Sequence, residues 1–187
     1  RRSELHYMAD LFVLTARRLL QDLPGAYFVC PTASRATREM FEDALRRHDA
    51  RNLPLTLLFG HSHEALAAAD LALVASGTAT LETALFKTPM VIAYKQSPFT
   101  WALMRRMLYL ANIGLPNILA GENLVPEFVQ DKATPGNLAN ALLELNQDAG
   151  AQRRQIEKFR EIHVALRQNT AQKAADAVLA VLDAGRT

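Results

Sequence analysis

Ser76-Gly77-Thr78, with Thr80 and Glu82 close behind, holds the residue types best suited to chemistry in this sequence. Gly77 lets a ligand come close to the backbone. The hydroxyls of Ser76, Thr78 and Thr80 supply hydrogen-bond donors, and the Glu82 carboxylate can accept from a diol such as a ribose. The apolar run from Leu71 to Ala75 and the helix-forming run that follows read as a buried strand, a tight turn and a helix N-terminus. The first amides of a helix lack intrahelical partners and carry the positive end of its dipole, so the turn is a ready anion site with Glu82 in the first helical turn. The plain alternative is an ordinary turn with hydroxyl capping and an acid that suits the dipole.

Other reactive side chains are less organised. His61-Ser62-His63-Glu64 invites a metal reading, but histidines two apart on a helix do not share a face, and no further Cys or His cluster supports them. His6, His48 and His163 read as surface or packing residues. The single cysteine, Cys30, excludes an intramolecular disulfide and fits a small core residue in a reducing compartment.

The elements around the turn alternate. Helical spacing runs along residues 3–20 through Leu5, Met8, Ala9, Phe12, Val13, Ala16 and Leu20. Short apolar strands are expected at 26–30 (stopped by Pro31), 55–59, 70–75 and 89–93, with helices at 35–47, 61–69 and 78–86 between them. Ser97-Pro98 opens a helix to about Leu110 that is apolar almost all round. Residues 113–121 read as a loop, and helices follow at 123–130, 135–147, 151–167 and 170–184. Continuously apolar strands alternating with helices imply an α/β fold, a Rossmann-like parallel sheet covered by helices on both faces, with a helical C-terminal tail. In such sheets ligands sit beyond the carboxyl ends of the strands, where Ser76 to Glu82, Gly60 to His63 and Asn117 fall.

Composition sets bounds. The chain has 187 residues, 50% of them hydrophobic, enough for one domain with a sizeable core. We read it as one domain, an α/β core over 1–121 and a helical part over 122–187. Net charge is +2, from 21 basic and 19 acidic residues, which argues against a nucleic-acid partner held by gross charge. No apolar run reaches the roughly 20 residues that span a bilayer.

Three stretches point one way together: Arg1-x-x-Glu4 opening a helix; Ser76-Gly-Thr-Ala-Thr-Leu-Glu82 followed by Pro89-Met-Val; and Tyr94-x-x-x-Pro98-Phe-Thr100 followed by Leu115-Pro-Asn-Ile-Leu-Ala-Gly121. In this order they resemble the C-terminal half of the lipid-A-disaccharide synthase family, glycosyltransferases with two Rossmann-like domains (the GT-B type). The resemblance implies transfer of 2,3-diacylglucosamine from a UDP donor to 2,3-diacylglucosamine 1-phosphate, releasing UDP. It implies a donor site at Arg1, Ser76, Gly77, Thr78, Thr80, Glu82 and Asn117, with no metal and no cofactor. Arg1 would contact the phosphates, Glu82 the ribose, and Asn117 would lie near the donor, or else serve only as a turn asparagine. Glu4 reads as a helix cap.

The resemblance also implies a catalytic general base and an acceptor site in an N-terminal domain outside this chain. A strand ending in Pro-Gly-Ser is expected before Arg1, so the chain is expected to belong to a longer polypeptide and to be inactive alone. A homodimer made by exchange of C-terminal parts is implied, leaving the stripe Ala171, Ala174, Val178 and Leu182 exposed in this chain. A cytoplasmic protein peripheral to the inner membrane of a Gram-negative bacterium is implied too, and the 98–110 helix is a candidate for membrane contact. Within enzymes the rival is another UDP-N-acetylglucosamine user of this fold, a lipid II-forming transferase or a 2-epimerase. Outside enzymes it is a nucleotide-binding or assembly module.

Overall fold

The computed structural model describes residues 2–97, 101 and 112–184. Its elements in order are α1 (Arg2–Asp22), β1 (Phe28–Thr32), α2 (Arg35–Arg47), β2 (Leu55–Phe59), α3 (Ser62–Ala68), β3 (Ala72–Ala75), α4 (Thr78–Phe86) and β4 (Met90–Tyr94). Then come α5 (Leu115–Ala120), β5 (Glu127–Val129), a 3-10 turn (Gln130–Lys132), α6 (Pro135–Gln147), α7 (Ala149–Leu166) and α8 (Thr170–Ala184). The helix expected over 98–110 lies outside the described residues except for Trp101, and so does Arg1.

The architecture is α/β, with parallel strands flanked by helices and a helical C-terminal tail. The strands form two parallel sheets, β1-β2 and β3-β4-β5, where their alternation with helices predicts one. Helix α1 lies over both. Its Met8, Leu11 and Leu19 pack with Phe28 of β1, Leu73 and Ala75 of β3, and Val91 and Ala93 of β4, together with Leu138 and Leu142 of α6. Its other stripe, Ala9 and Val13, packs on Phe41 and Ala44 of α2, with Cys30 and Leu57 beneath. Burial pushes the Cys30 thiol up to about 12, so it stays a neutral packing group.

Strand β4 is the centre of the larger sheet. Alternate side chains face opposite layers: Val91 and Ala93 go to the α1 and α6 side, while Met90 and Ile92 go to a second core with Val74, Ala84, Phe159 and Ile162. These four of the five β4 residues are fully buried, as a strand covered on both faces must be. Two glutamine side chains complete its hydrogen bonding where β5 is too short to reach. Met90 N–H donates to Gln155 Oε1 (2.9 Å), and Gln96 N–H donates to Gln130 Oε1 (3.1 Å) while Gln130 Nε2 donates back to Gln96 O (2.8 Å).

Three local expectations are corrected. Pro31 lies inside β1 and does not end it. Phe28 N–H donates to Pro54 O (2.8 Å) and Thr32 O accepts from Gly60 N–H (2.9 Å). Phe28, Cys30 and Thr32 therefore turn their backbone groups to β2, and the missing N–H of Pro31 falls on the other edge, where no ladder bond is lost. Residues 115–120, expected as loop, form α5, because Pro116 sits in the first turn and Gly121 closes the helix at φ +70°. Residues 123–130, expected as helix, hold β5 instead. Pro126 is poor in a helix interior, and its carbonyl accepts from Ile92 N–H (2.9 Å), opening the pairing with β4.

Among the described residues no helix is long and apolar enough to cross a membrane. The stripe on α8 is exposed as expected, with Val178 and Leu182 each 59% accessible.

Candidate functional site

The turn after β3 has the expected form. The ladder with β4 runs past the strand end, where Ser76 N–H donates to Ala93 O (3.0 Å). Gly77 then takes φ 140°, ψ −160°, a conformation that L side chains rarely adopt, and α4 starts at Thr78 with no side-chain cap. Gly77, Thr78, Ala79 and Glu82 are exposed, so the positive end of α4 faces open space.

Helix α4 has no acid in its first turn, because it begins at Thr78 and Glu82 is its fifth residue. Glu82 therefore stands one turn further along than expected. Thr78 and Glu82 are four apart and share a helix face, roughly 6 Å along the axis.

The hydroxyls divide. Thr78 is exposed. Thr80 is fully buried, and its Oγ1 donates to Gly77 O (2.7 Å), so its proton braces the turn from below. Ser76 Oγ donates to Ile113 O (3.2 Å) and leaves its lone pairs, not its proton, for a ligand.

Asn117 is also beneath the surface, 1% exposed. Its Nδ2 donates to Val125 O (2.8 Å) and Glu127 Oε1 (2.7 Å), and its Oδ1 accepts from Val125 N–H (2.7 Å). Both amide protons are thereby committed inside the protein. The structure thus brings together Ser76, Gly77, Thr78, Thr80 and Glu82 on one turn and helix. Asn117 lies on α5, which packs against α4, and hydrogen bonds link it to the turn through the segment from Ile113 to Gly114.

Glu127 completes that connection and was not anticipated. Its Oε2 accepts from Ile113 N–H (2.9 Å), and its Oε1 accepts from Gly114 N–H (3.0 Å) and Asn117 Nδ2. A signal was present: Glu127 is the one charge in the apolar run Leu124-Val-Pro-Glu-Phe-Val129, and a charge that becomes half-buried needs partners. A cavity of about 730 Å³ opens beside this segment, lined by Trp101, Asn112, Ile113, Asn117, Glu127 and Lys132 among others, and by no residue from Ser76 to Glu82.

At the end of β2, Gly60 and His61 both have positive φ and lead into α3. His61 Nδ1 lies 3.2 Å from Glu64 Oε1, and the His63 ring packs on Phe86 with centroids 5.2 Å apart. A backbone hydrogen bond, then His61, hold the Glu64 carboxyl below its ordinary range. Among the described residues no group of three or more His, Cys, Asp or Glu is placed to hold a metal ion.

Comparisons with known proteins bear on the family of the chain. A family model described as lipid-A-disaccharide synthetase matches residues 1–181. The chain is 54% identical over 184 residues to a lipid-A-disaccharide synthase of Dechloromonas aromatica (strain RCB), covering 98% of this chain and 48% of that protein. It is 52% identical over 182 residues to the synthase of Azoarcus sp. (strain BH72), covering 97% and 46%. Against that of Pseudomonas aeruginosa (strain LESB58) it is 50% identical over 183 residues, covering 98% and 47%. The chain thus spans about half the length of the curated relatives it matches. With a family model covering nearly all its residues, the chain belongs to the lipid-A-disaccharide synthase family.

Proposed function

We propose that this chain is the donor-binding half of a lipid-A-disaccharide synthase. The enzyme transfers 2,3-diacylglucosamine from its UDP donor to 2,3-diacylglucosamine 1-phosphate, forming a lipid A disaccharide 1-phosphate and releasing UDP. The observation that carries this reading is the exposed, uncapped start of α4 behind Gly77 at φ 140°.

The amides of Gly77, Thr78 and Ala79 receive the diphosphate. As UDP departs, negative charge grows on its terminal phosphate, and oriented amides at a helix N-terminus stabilise that charge without reorganising. Thr78 adds its hydroxyl, and Ser76 accepts from the sugar or from bound water. Glu82, one turn up the same face, accepts from the ribose diol. Thr80 and Asn117 support the turn from beneath and do not touch the donor. Arg1 adds a bidentate phosphate contact. The acceptor and the general base belong to the other half of the enzyme. The exposed stripe of α8 packs against that half or a second copy, and the assembled protein works at the surface of a bacterial inner membrane.

Calorimetry with UDP tests the donor site. UDP binds the chain weakly, and Glu82→Ala reduces the affinity about tenfold or more, as expected for losing a charged acceptor of two hydroxyls. Equal affinity in the two proteins removes the ribose role from Glu82.

A further inference from the structure

Glu127 sits on β5, away from the turn, yet its carboxylate governs a segment that touches the turn. Two consecutive amides, Ile113 and Gly114, converge on its two oxygens at 2.9 and 3.0 Å, and Asn117 Nδ2 adds a third bond at 2.7 Å. Gly114 precedes α5 and has no side chain to cap it, so the Glu127 charge stands in for the cap. The fit is close: a Cβ on Gly114 would lie 2.5 Å from Ile92 Cδ1 and 2.8 Å from Glu127 Oε1. Ile113 is then held at both ends of its backbone, its N–H by Glu127 and its carbonyl by Ser76 Oγ at 3.2 Å.

We propose that Glu127 is a positioning residue for the diphosphate turn, acting through Ile113 on Ser76. This rests on the donor-site reading above. Acceptors on both branches are essential. An amide at 127 would turn N–H toward one of the donors, Ile113 N–H or the pair Gly114 N–H and Asn117 Nδ2, and release part of the segment. Freed from its partner, the Ile113 carbonyl no longer fixes the Ser76 hydroxyl, and the lone pairs that face the ligand lose their direction. The chain of contacts is continuous from β5 to the end of β3, which is the kind of physical connection that coupling requires.

A double-mutant cycle on UDP affinity tests this, using Glu127→Gln, Ser76→Ala and the pair in the whole chain. Each single change weakens UDP about tenfold. The pair weakens it no further than the stronger single change, because both cut one line of contacts. Wild-type affinity in Glu127→Gln, or losses that multiply in the double variant, overturns the proposal. A second measurement needs no ligand: Glu127→Gln moves the amide resonances of Ser76 and Gly77 in nitrogen-correlated spectra, and unmoved resonances overturn it. If Glu127→Gln does not fold, Glu127→Asp, with its shorter arm, replaces it in both measurements. If the wild-type chain fails to bind UDP, the donor-site reading falls, and the ligand-free spectra alone decide the role of Glu127.

Discussion

Asn117 and Val125 exchange two hydrogen bonds, Nδ2 to the carbonyl at 2.8 Å and N–H to Oδ1 at 2.7 Å, so that one side chain serves as a strand partner for one backbone residue. Both residues are buried, at 1% and 2% exposure. Asn117→Ala leaves the two polar groups of Val125 without their partner, each costing roughly 1–3 kcal/mol. We expect a loss of about 3 kcal/mol in urea denaturation. Asn117→Asp should do at least as much harm, since it sets an acceptor against Val125 O and the Glu127 carboxylate. A loss under about 0.5 kcal/mol, typical of surface positions, would contradict the bracing role.

Gly77 and Gly114 are both required, for opposite reasons. A side chain at Gly77 meets nothing within 4 Å, but φ 140° strains any other residue. At Gly114 a Cβ runs into Ile92 and Glu127. Gly77→Ala should therefore cost about 1–3 kcal/mol through backbone strain. Gly114→Ala should cost a similar amount, about 1–3 kcal/mol, through overpacking. Trimming Ile92 to Val relieves part of the second loss and none of the first. Stabilities of the three single variants and the Gly114→Ala/Ile92→Val pair check this, and no rescue by Ile92→Val would contradict it.

Asp10 ties α1 to α2. Its Oδ1 accepts from Arg47 (2.6 Å) and lies 3.0 Å from His48 Nε2. Burial raises its carboxyl pKa, but the bonds from Arg47 and His48 outweigh this and leave it below the ordinary 3.8. A folded-state pKa below the unfolded one means stability that is fully present above the unfolded value and lost as pH falls through the folded value. The Asp10 contribution is thus complete above about pH 4 and fades below it. Asp10→Asn should flatten the acid side of the stability profile in that window. Identical acid limbs in the two proteins would contradict the assignment.

The parts most legible in the sequence were those with one physical cause. Met90 to Ala93 is apolar on both faces and became the central strand; Ser76-Gly77-Thr78 became the turn because only glycine takes that φ. Where two causes competed, the reading failed. Leu115 to Ala120 is short for a helix, and Pro116 and Gly121, which by type alone suit a loop, mark the two ends of α5. Glu127 to Val129 is too short to announce a strand and forms one because β4 has an edge to satisfy. Asn117 stands out in the sequence by its motif, but its pairing with Val125 depends on a segment eight residues later that spacing alone does not bring near. The division into two sheets was hidden for the same reason, since strand order is a tertiary property.

In the proposed donor site the amides behind Gly77 receive a diphosphate. The most direct measurement is a UDP titration of the isotopically labelled chain followed by amide resonances. We expect the largest saturable shifts at Gly77, Thr78 and Ala79, reproduced by pyrophosphate and absent with uridine. Shifts confined to the cavity beside Asn112 and Lys132, with Gly77 to Ala79 unmoved, would contradict it.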